Sequence, residues 1–269
     1  MDIENCTYQS IIAAIDAGKK IMEIYNDPDA DFELEKKSDN SPVTIADKKA
    51  HNIIKKHLEI IKIPLLSEEG KNIDYEDRKY WDYYFLVDPL DGTKEFLKKN
   101  GEFTVNIALI HKNRPVAGVV YLPVLKTLYF AFNNTSYKIP DISENTDTKK
   151  DLNDFINISE KIYSDKKPDE YTIIATRSHQ NEELKNFIKE KEKVYSNLVL
   201  ISAGSSLKFC KMAEGLAHVY PRTGKTMEWD TAAGHAVCEG AGLEVKNLLT
   251  GKNLFYNKKD LSNPYFIVA

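Results

Sequence analysis

Apolar residues at helical spacing open the chain. Ile11, Ile12, Ile15, Met22 and Tyr25 predict an amphipathic helix over residues 5–26, closed by Pro28 and the acidic stretch from Asp27 to Asp31. A second helix is predicted over 44–61, with Ile53, Ile54, Leu58 and Ile61 on one face. Thr44 stands at its N-cap, and Asp47 three residues on fills the acid position of a capping pattern. The pattern then shortens. Pro64 to Ser67 and the apolar run Tyr83 to Val87, halted at Pro89, read as strands. Residues 103–110, 116–121 and 127–132, parted by Asn113, Pro115 and Pro123, read as an antiparallel meander. From 133 to 167 the chain is polar, with room for a short strand near 156–158. Beyond it, strands at 171–175, 194–202 and 217–220 alternate with helices at 182–191, 205–213 and 229–240, which is an α/β order. The expected organisation is an N-terminal α+β lobe, 1–155, and a C-terminal α/β lobe, 156–269. No internal repeat interrupts it, and the Lys-rich run 189–193 reads as a solvated helix end.

Composition narrows the class. The 269 residues are 42% hydrophobic and 29% charged, a mixture that forms a globular core and excludes a disordered or fibrous chain. A net charge of -4 gives no support to binding of a nucleic acid polymer, yet leaves room for a local basic pocket. No apolar run reaches the length of a transmembrane segment, and the first residues lack a secretory pattern. Cys6, Cys210 and Cys238 are widely spaced and odd in number, so they read as thiols in a reducing compartment, with neither a disulfide framework nor a zinc site. The expected location is the cytoplasm, with peripheral attachment to the inner face of the membrane as the alternative.

Three acidic segments carry chemistry: Leu66 to Gly70 with Glu68 and Glu69, Val87 to Phe96 with Asp88 and Asp91, and Glu228 to Gly234 with Asp230. Asp88 ends a buried strand, Pro89 stiffens the turn, and Gly92 admits a backbone conformation that other residues resist. Two carboxylates across such a turn can converge on one point, and the Leu90 carbonyl can be turned inward beside them. Hard divalent cations take these oxygens. A lone Asp-x-x-Asp is as readily a turn in which Asp91 satisfies backbone amides. Glu68 and Asp230 change the balance, because clustered like charges need a cation to hold them together. The skeleton Asp-Pro-x-Asp-Gly-Thr arises by chance on the order of once per million positions. With no Cys or His nearby in sequence, an all-oxygen set selects magnesium over zinc.

Asp47, Glu68-Glu69, Asp88 to Thr93 and Trp229 to Ala233 together resemble the inositol monophosphatase superfamily of lithium-sensitive, magnesium-dependent phosphatases. The resemblance covers nearly the whole chain and implies a layered αβαβα sandwich of the inositol monophosphatase/fructose-1,6-bisphosphatase type, with the active site between two lobes. It further implies Glu68, Asp88, the Leu90 carbonyl, Asp91 and Asp230 as ligands of two or three Mg2+ ions. Thr93 and Asp47, helped by Glu68, would orient and deprotonate the attacking water, and the amides of Gly92 and Thr93 would hold phosphate oxygens.

Lys94-Glu95-Phe96, Asn100 to Ala108, Gly204 to Cys210, Tyr220-Pro221-Arg222 and Trp229 to Ala236 bring the resemblance closest to the bacterial 3'(2'),5'-bisphosphate nucleotidases. The implied reaction is hydrolysis of adenosine 3',5'-bisphosphate to AMP and phosphate, a by-product removal step of sulfur metabolism. Ser205, Lys208 and Arg222 would then hold nucleotide phosphates, Ser178 and His179 would lie by the nucleoside, and Asp230 would serve substrate as well as metal. Plainer readings stand beside these: a solvated Lys208, a structural ion pair at Arg222, a helix-capping His179. The family's Gly-rich hairpin after Phe132 is replaced here by Asn133 to Tyr137 and an acidic tract. Inositol or sugar phosphatase activity is the alternative among enzymes, and a non-catalytic nucleotide sensor the alternative outside them. The expected partner is a small nucleotide, acting on a monomer or homodimer.

Overall fold

The computed structural model describes residues 1–29, 35–36, 42–142, 150–175 and 181–269. Helix α1 (Ile3–Asn26) starts where the Asp2 carboxylate accepts from the Asn5 amide at 2.9 Å. Strands β1 (Glu35–Lys36) and β2 (Pro42–Val43) pair antiparallel. Next come α2 (Ile45–Leu58), a 3-10 turn (Glu59–Ile61), β3 (Leu65–Ser67), α3 (Tyr75–Arg78), β4 (Tyr83–Asp91) and α4 (Thr93–Leu97). The meander follows as β5 (Thr104–His111), β6 (Arg114–Leu122), β7 (Thr127–Phe132) and β8 (Thr135–Ile139), then α5 (Leu152–Asn157) and β9 (Glu160–Ile162). The remainder is β10 (Tyr171–Ala175), α6 (Glu182–Glu192), β11 (Leu198–Ser202), α7 (Leu207–Ala213), β12 (Tyr220–Arg222), α8 (Glu228–Gly240), β13 (Val245–Asn247) and β14 (Phe266–Val268).

Strands β3 to β9 form one seven-stranded sheet in sequence order, parallel only between β3 and β4. Side chains alternate across it with period two. Phe85, Val87, Val105, Ile107, Val119 and Phe130 pack on one face against α1 and α2. Tyr84, Leu86, Ala108, Ile110, Val120 and Tyr129 pack on the other, against α8. A second sheet joins β11 to β10, then through the Ile173–Val219 bridge to β12, β14 and β13. Its Ile174, Tyr220, Phe266 and Val268 face α7 and α8, while Ile173, Val219 and Ile267 cluster with Leu184 and Ile188 of α6. The layers therefore run α, β, α, β, α, as the resemblance implied.

Gly118 sets how closely α8 approaches the first sheet. A Cβ there would stand 2.5 Å from the Ala233 carbonyl and 2.7 Å from the Ala236 Cβ. Only a bare backbone lets that helix settle over the strands.

Several expectations are corrected. The strand expected to stop at Pro89 continues to Asp91 through a bulge. Residues 156–158 lie at the end of α5 and not in a strand; Asp151 caps that helix by accepting from the Asp154 amide at 3.1 Å. Asn133 and Asn134 adopt left-handed φ values of 48° and 55° and make the β7–β8 hairpin that glycine would otherwise serve. The strand expected over 194–202 is confined to 198–202, the helix expected from Ser205 begins at Leu207, and the strand expected at 217–220 lies at 220–222. The two C-terminal strands had no forecast. Among the described residues, no helix is long and apolar enough to cross a membrane.

Candidate active site

The acidic segments meet where β3, β4 and α8 come together. The Glu68 amide donates to the Val87 carbonyl at 3.1 Å, extending the parallel ladder one residue past β3 and setting Glu68 beside Asp88. On β4, Asp88 registers with Asn106 and Asp91 with Thr104, so three steps on one strand face two on the other. In a regular strand, residues three apart point to opposite faces; the single extra residue restores them to one side. Oxygens of Glu68, Asp88 and Asp230 lie within 4.8 Å of one another.

Four aspartates here are tethered through their carboxylate oxygens, Asp47 through both. Asp47 and Asp230 are both the third residue of a helix, α2 and α8. The Thr44 amide and hydroxyl donate to Asp47 Oδ2 at 2.8 and 2.5 Å, and the Met227 amide donates to Asp230 Oδ2 at 2.9 Å. Asp88 Oδ1 accepts from the Leu90 amide at 3.1 Å. Asp91 Oδ2 accepts from Ser205 Oγ at 2.7 Å, Ser206 Oγ at 3.1 Å and Asn106 Nδ2 at 3.2 Å. The Thr93 hydroxyl reaches Asp47 Oδ1 at 3.3 Å and the Leu90 carbonyl at 3.5 Å. Gly92 precedes it with φ 95°, and a Cβ there would press on the Glu102 carbonyl at 3.2 Å.

Burial, then Glu68, Asp91 and Asp230, pushes Asp88 well above the usual carboxylate range. Burial, then Asp91 and Glu68, does the same to Asp230. The Glu68 side chain beside Asp88 adds to the rise there. Burial raises Asp47 to about 6, with Glu69 and Glu68 adding to it. Repelling carboxyls whose oxygens converge are a set that hard cations fit, since such ions offset the like charge and accept several oxygens at once.

A cleft of about 460 Å³ adjoins the carboxyls, lined by Asp91, Gly92 and Asp230 together with Ser205, Lys208 and Arg222. Lys208 is buried, and its ammonium donates to the carbonyls of Ser205 at 2.7 Å and Ala203 at 3.2 Å. Burial and the neighbouring Arg222 guanidinium lower it to about 8. Arg222 spends Nη2 on the Lys225 carbonyl at 3.3 Å, while its buried Nε has no partner among the described residues. The solvated reading of Lys208 is thus excluded. Ser205 places its hydroxyl on Asp91. Ser178 and His179 lie outside the described residues. Thr104, Asn106 and Ser206 were missed. The first two could have been found, because they carry polar side chains at the parity that Ala108 and Ile110 fill with apolar ones.

Comparison with known proteins places this geometry. The pattern described as Inositol monophosphatase family matches residues 2–267. The chain belongs to the inositol monophosphatase family. That is a family of metal-dependent phosphatases, and the chain is a phosphatase of it. It is 43% identical over 259 residues to the 3'(2'),5'-bisphosphate nucleotidase CysQ of Salmonella typhimurium, covering 95% of this chain and 96% of that one. Against the CysQ of Buchnera aphidicola it is 45% identical over 243 residues, covering 90% and 83%. The crystal structure of CysQ from Bacteroides thetaiotaomicron, a bacterial member of the family, superposes with a TM-score of 0.89 at 50% identity, covering 97% of this chain and 95% of that one.

Proposed function

We propose that this phosphatase hydrolyses the 3'-phosphate of adenosine 3',5'-bisphosphate, giving AMP and phosphate. The observation that carries the reading is a single cleft lined by both kinds of group: Asp91 and Asp230 beside the Glu68–Asp88–Asp230 cluster, and the cations Lys208 and Arg222. A substrate with two phosphates answers both. The likeness to CysQ nucleotidases supports it.

In this reading Glu68, Asp88, the Leu90 carbonyl, Asp91 and Asp230 hold two or three Mg2+ ions. When bound, such ions neutralise phosphate charge and acidify a nearby water. The chain's own residues do the rest. Thr93, donating to Asp47 Oδ1, keeps a lone pair with which to orient the water, and Asp47 with Glu68 draws off its proton. Water oxygen bonds to phosphorus as the bond to the 3'-oxygen breaks; that oxygen takes a proton from solvent water to become the product hydroxyl, and the proton held by Asp47 returns to solvent. Gly92 and Thr93 contact the reacting phosphate, and Ser205, Lys208 and Arg222 the other. Residues 1–155 supply most metal oxygens, and 156–269 supply Asp230 and the nucleotide contacts.

The test is phosphate release with Mg2+ from adenosine 3',5'-bisphosphate, inositol 1-phosphate, fructose 1,6-bisphosphate and AMP. The bisphosphate nucleotide should turn over fastest. Lys208→Met and Arg222→Met should raise its KM by about tenfold or more, the scale of a lost charge-assisted hydrogen bond. Faster release from inositol 1-phosphate would overturn the substrate, and tight nucleotide binding without release would overturn the reaction.

A further inference from the structure

One hydroxyl joins the two halves of the candidate metal site. Ser206 Oγ lies 3.1 Å from Asp91 Oδ2 and 3.0 Å from the main-chain carbonyl of Asp230, so it touches both ligand-bearing segments. Asn106 supplies what that hydroxyl and Asp91 lack. Its amide group has two hydrogens, one directed to Asp91 Oδ2 at 3.2 Å and one to Ser206 Oγ at 2.9 Å. The Asp91 carboxylate can only accept, which fixes which end of the amide faces it, and the Thr104 hydroxyl lies 2.9 Å from Asn106 Oδ1 at the other end. Asn106 and Thr104 are 0% exposed and Ser206 1%, so water does not substitute for any of them. Gly204 fixes the loop from the far side: a Cβ there would stand 2.8 Å from the Glu102 carbonyl, so the loop lies flush on the approach to β5.

We infer that Asn106 and Ser206 are positioning residues for the metal site, setting the Asp91 carboxylate against the first turn of α8. They do not touch substrate. Strand β5 carries Asn106, the segment before α7 carries Ser206, β4 carries Asp91 and α8 carries Asp230. Four segments from both halves of the chain therefore meet at one oxygen and one hydroxyl. Locking them organises the oxygens before a cation arrives. Loss of the lock should weaken the cation's hold while leaving the nucleotide contacts in place. The inference rests on the metal-site reading given above.

The experiment compares wild type, Ser206→Ala and Asn106→Ala by calorimetric titration with MgCl2 alone, by thermal unfolding with and without it, and by phosphate release. Ser206→Ala is the gentler variant and decides the matter alone if Asn106→Ala fails to fold. The Mg2+ dissociation constant should rise about 10–100-fold, the scale of losing a group that orients a ligand. The Mg2+ concentration for half-maximal release should rise in step. The substrate KM at saturating Mg2+ should stay at the wild-type value. A lower Tm with an unchanged Mg2+ dissociation constant would reduce the pair to ordinary packing and overturn the inference alone. Absence of Mg2+ binding by the wild type would instead overturn the metal site on which it stands.

Discussion

Asp88, Asp91 and Asp230 each commit one oxygen to donors of the protein, and the direction of the other follows from that bond. Asp91 shows the consequence most simply. In Asp91→Asn, the amide oxygen can still accept from Ser205, Ser206 and Asn106, so the fold should survive with a Tm within a few degrees of wild type. The charge facing the cations is gone, and a loss of several kcal/mol of charge stabilisation corresponds to on the order of 10³-fold in kcat. Near-normal turnover in that variant would remove Asp91 from the reaction. Protonation gives a second test at this scale. Burial raises Asp47 in the folded chain to about 6, above its unfolded value near 4. The protonated form therefore favours the fold: its contribution is complete below about pH 4 and is lost as pH rises through about 6. Without metal, wild type should lose stability over that window relative to Asp47→Asn. Mg2+ affinity should rise across it, because protons must leave first. Parallel Tm curves for the two proteins from pH 4 to 7 would count against this account.

At the scale of elements, the site is built from helix starts and strand parity. The capping pattern at Thr44 and Asp47 was legible because it is local, with all partners within three residues. The α8 start was legible for the same reason. The bulge at Pro89 and Leu90 was not, since a ladder irregularity depends on the partner strand. Nor was the network of Thr104, Asn106 and Ser206, in which Asn106 and Ser206 stand 100 residues apart and meet only through packing. Gly118 belongs with these long-range features. Gly118→Ala would drive a methyl into the Ala233 carbonyl at 2.5 Å, and overpacking of this kind costs about 1–3 kcal/mol. Because α8 also carries Asp230, the variant should lose Mg2+ affinity together with stability. A Tm fall with Mg2+ affinity unchanged would show that α8 moves without carrying its first turn along.

For the whole molecule, the alternation of strands and helices disclosed the layers, because apolar runs such as Tyr83 to Val87 and Phe103 to Ile110 are long enough to read. The second sheet was only half visible. Strands β13 and β14 have three residues each, too short for a period, and they are held by pairing with each other and with β12. What the layers accomplish is to bring carboxylates from β3, β4 and α8 to one place at a cost in mutual repulsion. A divalent cation that binds the folded arrangement and not the open chain must then stabilise the fold. At 100 times its dissociation constant the gain is about 2.7 kcal/mol, which for a chain of this size raises Tm by roughly 5–10 °C. Tm should climb with the logarithm of Mg2+ concentration and fall back when EDTA is added. Sodium chloride at matched ionic strength should reproduce little of the rise, since general screening acts on exposed charges more than on buried ones. In Asp88→Asn the Mg2+-dependent part should vanish, while the metal-free Tm should hold or increase as one buried like charge is removed. An equal rise with sodium, or an undiminished Mg2+ response in Asp88→Asn, would mean that these carboxyls do not form the cation site.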